Sequence, residues 1–341
     1  MFRLNIDKMK KSFFKKSFSV GHHNIRFSWV HLMLFILNCV KGLESIEGCA
    51  KSPSAQTVRD RLRLVSDWNI EFHKIMASIA GYILRRFSRF RWFISIDETH
   101  TPFFGDRKKL NKHLVRKKIG QYIHGYRAET KGATGSFCFV VISLCCSRIK
   151  LPLALKMVRV GERYDVWLEQ ELKKVLKIAP KSTILADRGF GKAVWFFKVM
   201  ERTGADYVVR MPLRKKESKE GKVLIDIFIA KDSQDREYVL VSNIKGEKPR
   251  RLLSYYLHRW DIENIFKNAD RVEMKTSSRN PLMRLFCVVV SFLIFALWQI
   301  SRILDNHVRC SLRKFVKCIL DAICKVMRCI ISHNDEIIQL R

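Results

Sequence analysis

Three carboxylates stand where chemistry could use them. Asp97 follows the apolar run Phe93-Ile94-Ser95-Ile96, and Asp187 follows Thr183-Ile184-Leu185-Ala186. Glu263 comes after Tyr256 and Arg259 at spacings that put all three on one face of a helix. An acid at the C-terminal end of a strand projects from the sheet edge, where open α/β sheets place their ligands. A helix laid across that edge could present Glu263 to both aspartates. Such a set suits hard cations, because Mg²⁺ takes oxygen ligands and is bound by one or two carboxylates with water and phosphate completing its shell. Two such ions, roughly 3.5–4 Å apart, serve the attacking and leaving oxygens of an in-line phosphodiester displacement.

Each acid also has a plainer reading. Asp97 could cap a turn, leaving Glu98 as the ligand, although strand alternation points these neighbours to opposite faces. Asp187 could pair with Arg188, and Glu263 with Lys267 or Arg259 one turn away. Gly189, just past Asp187, would let a backbone or a phosphate come close.

The elements around these acids read as mixed α/β. Residues 1–85 form a helical region. Within it Ser52-Pro53 opens an amphipathic helix with Val58, Leu62 and Val65 on one face and Arg59 and Arg61 mostly off it. This is either the recognition helix of a helix-turn-helix or an ordinary helix with solvated arginines. Strands are expected over Arg91–Asp97, Ser136–Cys145, Leu151–Val160, Thr183–Ala186 and Asp206–Met211, with helices over Arg163–Ile178 and Ala193–Met200. That alternation places a core sheet in residues 86–212. Residues 213–250 turn charged around two β-like runs and read as an inserted β subdomain. A second core part, 251–300, opens with one long helix, Arg251–Val272, that carries Glu263. A basic helical tail fills 301–341.

Composition narrows the partners. The 341 residues are 48% hydrophobic, enough for a sizeable core. Lys and Arg total 65 against 32 Asp and Glu, a net charge of +33. Such an excess repels itself unless a polyanion neutralises it, and nucleic acid fits because each neutralised phosphate releases counterions. An anionic membrane fits less well, since the basic residues are spread along the chain and not gathered on one amphipathic helix. The 14-residue apolar run Leu285–Trp298 falls short of the roughly 20 residues a span needs and reads as a buried helix. The start, Met1–Phe18, has no secretory pattern. Ten cysteines contain no C-x-x-C pair and read as reduced core thiols.

The ordered set Ile96-Asp97-Glu98-Thr99, Phe103-Phe104-Gly105, Lys131-Gly132-Ala133 and Ala186-Asp187-Arg188-Gly189-Phe190 resembles the DDE transposases of prokaryotic insertion sequences. Tyr256-Leu257-His258-Arg259-Trp260-Asp261-Ile262-Glu263 is similar to the Y-x-x-R-x-x-x-E signature of their Tyr-Arg-Glu-Lys group, as is Asn280-Pro281-Leu282-Met283-Arg284-Leu285-Phe286 with its apolar helix. The resemblance spans roughly Phe93 to Trp298. It implies a ribonuclease-H-like mixed sheet flanked by helices, with a β insertion between the second and third acids. Asp97, Asp187 and Glu263 would be the catalytic, metal-binding triad for two Mg²⁺ ions, with Mn²⁺ as a substitute. Tyr256, Arg259, Lys267 and Arg188 would contact DNA, together with Arg59 and Arg61. The expected activity is cleavage at element ends and strand transfer into double-stranded target DNA, by a cytoplasmic, nucleoid-associated enzyme able to dimerise on DNA and without a membrane partner. The alternatives are a metal-dependent nuclease or resolvase of the same fold, or a decayed copy that only binds DNA. One departure stands out: the signature's lysine would fall at Asp270, with Lys267 and Lys275 the nearest substitutes.

Overall fold

The structure is a computed structural model, and it describes residues 68–106, 120–125, 131–212, 225–274, 276, 278–304, 311–319 and 321. The helix with Arg59 and Arg61, the charged segment 213–224, Lys275 and most of the tail lie outside the described residues. The chain divides into two compact units, residues 69–267, and residues 268–341 together with 1–68.

The first unit is built on one mixed sheet. Its strands are β1 (Phe93–Phe103), β2 (Ile123–His124), β3 (Gly135–Cys145), β4 (Lys150–Val158), β5 (Thr183–Ala186), β6 (Tyr207–Arg210), β7 (Asp226–Lys231) and β8 (Glu237–Ser242). They run in the order β2-β3-β1-β5-β6-β8-β7, with β4 also pairing to β3. β5 lies parallel to β1 and β6, while the pairings of β3 with β1, β2 and β4 and of β8 with β6 and β7 are antiparallel. Every residue of β3 is buried, which is why Ser136–Cys145 reads as a continuous apolar run and not an alternating one.

The helices cover both faces. α1 (Trp68–Arg86) buries Phe72, Met76, Ala80 and Ile83, a stripe in steps of four and three residues. α2 (Asp165–Ile178) buries Leu168, Leu172 and Val175, and His73 of α1 meets its Glu171 at 3.1 Å. α3 (Val194–Thr203) ends on Gly204, whose φ of 65° is the left-handed cap that glycine adopts without strain. The Phe197 ring of α3 packs 5.8 Å from Tyr207 of β6. On the other face α4 (Pro249–Leu257) lays Leu252, Leu253, Tyr255 and Tyr256 against Phe93, Leu185, Val208 and Leu240.

The two strands expected within the inserted segment 213–250 are present as β7 and β8, and β8 pairs with β6, so they extend the common sheet. The apolar residues of β8 are the reason, since Leu240 belongs to the same core cluster as Val208. The long helix after 250 is two helices, α4 and α5 (Trp260–Ala269), separated at His258 and Arg259. The backbone N–H groups of His258 and Arg259 bond three residues back, to Tyr255 and Tyr256, and so tighten the turn.

In the second unit, α6 (Pro281–Leu304) is capped by Asn280, whose Oδ1 accepts from the Leu282 N–H at 2.9 Å with Pro281 in the first helical position. It runs longer than the apolar stretch suggests. Pro281–Ile303 is the one helix among the described residues long and apolar enough to cross a membrane, with 72% of its most apolar window buried inside the molecule.

Candidate active site

β1 and β5 are parallel and in register only from Phe93↔Thr183 to Ile96↔Ala186. The next residue on each strand is an acid. Asp97 and Asp187 are thus neighbours one step beyond a shared rung, on strands that lie about 4.7–4.9 Å apart. Asp97 does not end its strand, as the sequence suggests: β1 runs on to Phe103, held by β3, while β5 stops at Ala186. The two aspartates therefore open a notch beside β1.

Asp187 is held by its own loop. Its Oδ1 accepts the N–H of Gly189 at 2.7 Å and that of Phe190 at 3.3 Å. A Cβ on Gly189 would stand 2.9 Å from that oxygen, so the space this glycine leaves open is taken by the Asp187 carboxylate. Two residues on, a Cβ at Gly191 would meet the Arg210 carbonyl oxygen at 2.2 Å. The turn is pressed that closely onto the end of β6.

Glu263 arrives through Arg259. The guanidinium donates from Nη1 to Asp97 Oδ2 at 3.0 Å and from Nη2 to Glu263 Oε1 at 2.5 Å. Arg259 is 9% exposed, and its Nε is buried with no hydrogen-bond partner among the described residues. The break between α4 and α5 sets this up, because it turns Arg259 inward while Glu263 stays on α5. Burial pushes the Asp97 carboxyl up to about 7, against the pull of Arg259, and the charges of Asp187 and Glu263 add to the rise. Asp97 Oδ1 also accepts the Glu98 N–H at 2.9 Å.

The other expected contacts divide. Arg188 and Lys267 are exposed, one beside Asp187 and the other a turn beyond Glu263. Tyr256 is 2% exposed and sits in the core cluster under α4, with the Arg259 guanidinium carbon 5.9 Å from its ring centroid. Burial raises its hydroxyl while Arg259 draws it down. The DNA contact expected of Tyr256 is not available to a ring sealed this way; what it touches is Arg259 and the sheet. Arg259 likewise spends its guanidinium on Asp97 and Glu263, not on an exposed phosphate site. Asp270, where the signature has lysine, lies in a short 3-10 turn, Asp270–Val272.

Residues 88–283 match the transposase DDE domain family, a span that includes all three acids. The chain belongs to that family. Among solved structures, this transposase resembles the cryo-EM structure of a piggyBac transposase synaptic complex with hairpin DNA, with a TM-score of 0.54 and 11% identity over 93% of this chain and 76% of that one. At that identity the likeness speaks for the fold alone, which is the ribonuclease-H-like mixed sheet flanked by helices. The Mos1 transposase paired-end complex with left transposon end matches over 61% of this chain and 67% of its own at 14% identity, with a TM-score of 0.20, too low to carry weight. A search of curated proteins returned no match.

Proposed function

We propose that the chain is an insertion-sequence DNA transposase whose Asp97, Asp187 and Glu263 hold two divalent cations, Mg²⁺ with Mn²⁺ as a substitute. It cleaves at element ends and joins the freed 3′-OH to target DNA. One observation supports this most: two aspartates one step past a shared strand rung, with Glu263 tied to the first of them by a single arginine. The donors fit the ions. All three are carboxylates, hard oxygen ligands of the kind Mg²⁺ requires, and in a chain of net charge +33 the one guanidinium among them pairs with only two, Asp97 and Glu263. Bound there, the ions would activate the attacking water or 3′-OH and stabilise the leaving oxygen.

The chain's own residues supply position and charge. Asp187 is oriented by two backbone N–H groups. Arg259 aligns Asp97 with Glu263, and Tyr256 braces Arg259 from below. Exposed Arg188 and Lys267 flank the acids and take the phosphates of double-stranded DNA. Arg59 and Arg61 of the N-terminal region would bind DNA as well, and a dimer would bring two element ends together in a cytoplasmic, nucleoid-associated complex. The spacing Tyr256, Arg259, Glu263 supports a reading in the Tyr-Arg-Glu-Lys group, with Asp270 in the lysine's position.

The test is a strand-transfer reaction with labelled element ends, target plasmid and Mg²⁺. Joined product should form and disappear with Asp97→Ala; joining that survives this change removes the site. Cleaved ends that never join would make the chain a nuclease. Binding without cutting would make it a decayed copy, the reading that Asp270 favours. Neutralising about ten phosphates predicts a slope near −9 for log K against log salt.

A further inference from the structure

The opposite face of β1 carries donors that phosphoryl chemistry does not use. Strand alternation sends Glu98 and His100 away from Asp97, and the β1–β3 register sets His100 opposite Cys138. One ligand atom from each of Glu98, His100 and Cys138 lies within 4.8 Å of the others. Two more side chains orient them: the Tyr164 hydroxyl donates to Glu98 Oε1 at 2.6 Å, and His100 Nδ1 stands 3.1 Å from Ser136 Oγ. Cys138 is 3% exposed, and His100 is the outermost of the three, open to solvent.

We propose that Glu98, His100 and Cys138 form a Zn²⁺ site separate from the carboxylate centre. The donors select the ion, since thiolate with imidazole suits Zn²⁺ whereas Mg²⁺ takes oxygen alone. Three protein ligands leave a fourth tetrahedral position for water. Zinc bonds of about 2.0–2.3 Å place tetrahedral ligand atoms roughly 3.5 Å apart, so the three donors need only draw in by about 1 Å. The Tyr164–Glu98 and Ser136–His100 contacts are the outer partners by which metal ligands are commonly held in orientation, and His100 at the rim gives the ion an entry path. A bound ion would clamp β1 to β3 and, through Tyr164, to the start of α2. The site does not depend on the transposase reading.

Co²⁺ tests it, because cobalt occupies zinc sites and a thiolate ligand announces itself by a charge-transfer band. The full-length chain, stripped with chelator and titrated with Co²⁺, should develop that band at one equivalent and lose it to added Zn²⁺. Cys138→Ser and His100→Gln should each abolish it; Asp97→Asn should leave it in place. Tyr164→Phe, which keeps all three donors, should weaken Zn²⁺ binding about 10–100-fold. Absence of a thiolate band from the unaltered chain, or a band that persists in His100→Gln, overturns the site. Circular dichroism checks each variant, and should Cys138→Ser fail to fold, His100→Gln alone decides.

Discussion

Arg259 stands 3.0 Å from Asp97, Nη1 to Oδ2, across 162 residues of sequence. The same guanidinium holds Glu263, so one positive charge serves as counter-ion to two of the three acids. Removing it should make the cluster more hungry for cations. In Arg259→Gln, metal-free stability should fall by about 1.5–3 kcal/mol, the worth of hydrogen bonds to charged groups. Added Mg²⁺ should raise the melting temperature of this variant by more than that of the unaltered chain. Equal Mg²⁺ shifts in a thermal melt would show that Arg259 does not neutralise the cation site.

The Asp97 carboxyl titrates at about 7 in the folded chain, against an ordinary value of 3.8. A carboxyl raised in this way keeps its proton where the unfolded chain has released it. The stability it contributes is complete below about pH 4 and is lost as pH climbs through about 7. Metal-free melting temperatures should therefore decline across that window, and Asp97→Asn should flatten the decline. Glu273 of the second unit, also raised by burial to about 7, adds a slope that this variant leaves untouched. Because a carboxylate must be deprotonated to bind a cation, Mg²⁺ affinity should weaken below about pH 7. Calorimetric affinities that stay level from about pH 5.5 to 8 would count against Asp97 as a ligand.

Two glycines near Asp187 should respond differently to the same methyl group. Gly189→Ala puts Cβ 2.9 Å from Asp187 Oδ1, and the carboxylate can rotate away only by giving up the Gly189 N–H. Catalysis should drop about tenfold or more, as expected when a reacting group is misplaced, with little change in melting. Gly191→Ala meets the Arg210 carbonyl at 2.2 Å, a clash with backbone, and should cost about 1–3 kcal/mol of stability. Paired melts and cleavage assays separate the two, and a reversal of this pattern would refute the placement of the loop.

Of two residues expected to contact DNA, Arg188 should do so and Tyr256 should act in the core instead. Tyr256→Ala opens a cavity in the core cluster and should cost about 3–5 kcal/mol, while Tyr256→Phe keeps the packing and should bind DNA as the unaltered chain does. Arg188→Ala, at an exposed position, should weaken DNA binding and flatten its salt slope by about 1. If a filter-binding series showed Tyr256→Phe to be the weaker binder, the ring would have to face DNA.

Much of the sheet can be read from sequence because its central strands are buried on both faces and leave unbroken apolar runs. Thr183–Ala186 is read to the residue, and β3 misses only Gly135. The end of β1 is not legible. Glu98, Thr99 and His100 look like a loop after Ile96, yet antiparallel pairing to β3 carries the strand through them. The break at His258 is hidden too, since no proline or glycine marks it and the spacing of Tyr256, Arg259 and Glu263 continues across it. The role of Arg259 is legible only in part: its i, i+4 partner Glu263 is local, whereas Asp97 is reached through the fold. The sheet membership of β7 and β8 depends on register with β6, a non-local fact that charged flanking residues obscure.

The rung Ile96↔Ala186 fixes more than a location. Because Asp97 and Asp187 are the next residues along two hydrogen-bonded strands, their separation is a property of backbone geometry, as rigid as the pleat itself. The segments between β1 and β3, or between β6 and β8, can lengthen, shorten or change sequence without moving either carboxylate relative to the other. A slip of β5 along β1 would do so, and such a slip by one residue would turn Asp187 to the wrong side of the sheet. Adaptation to new DNA ends can therefore proceed in the loops while the cutting centre stays the same.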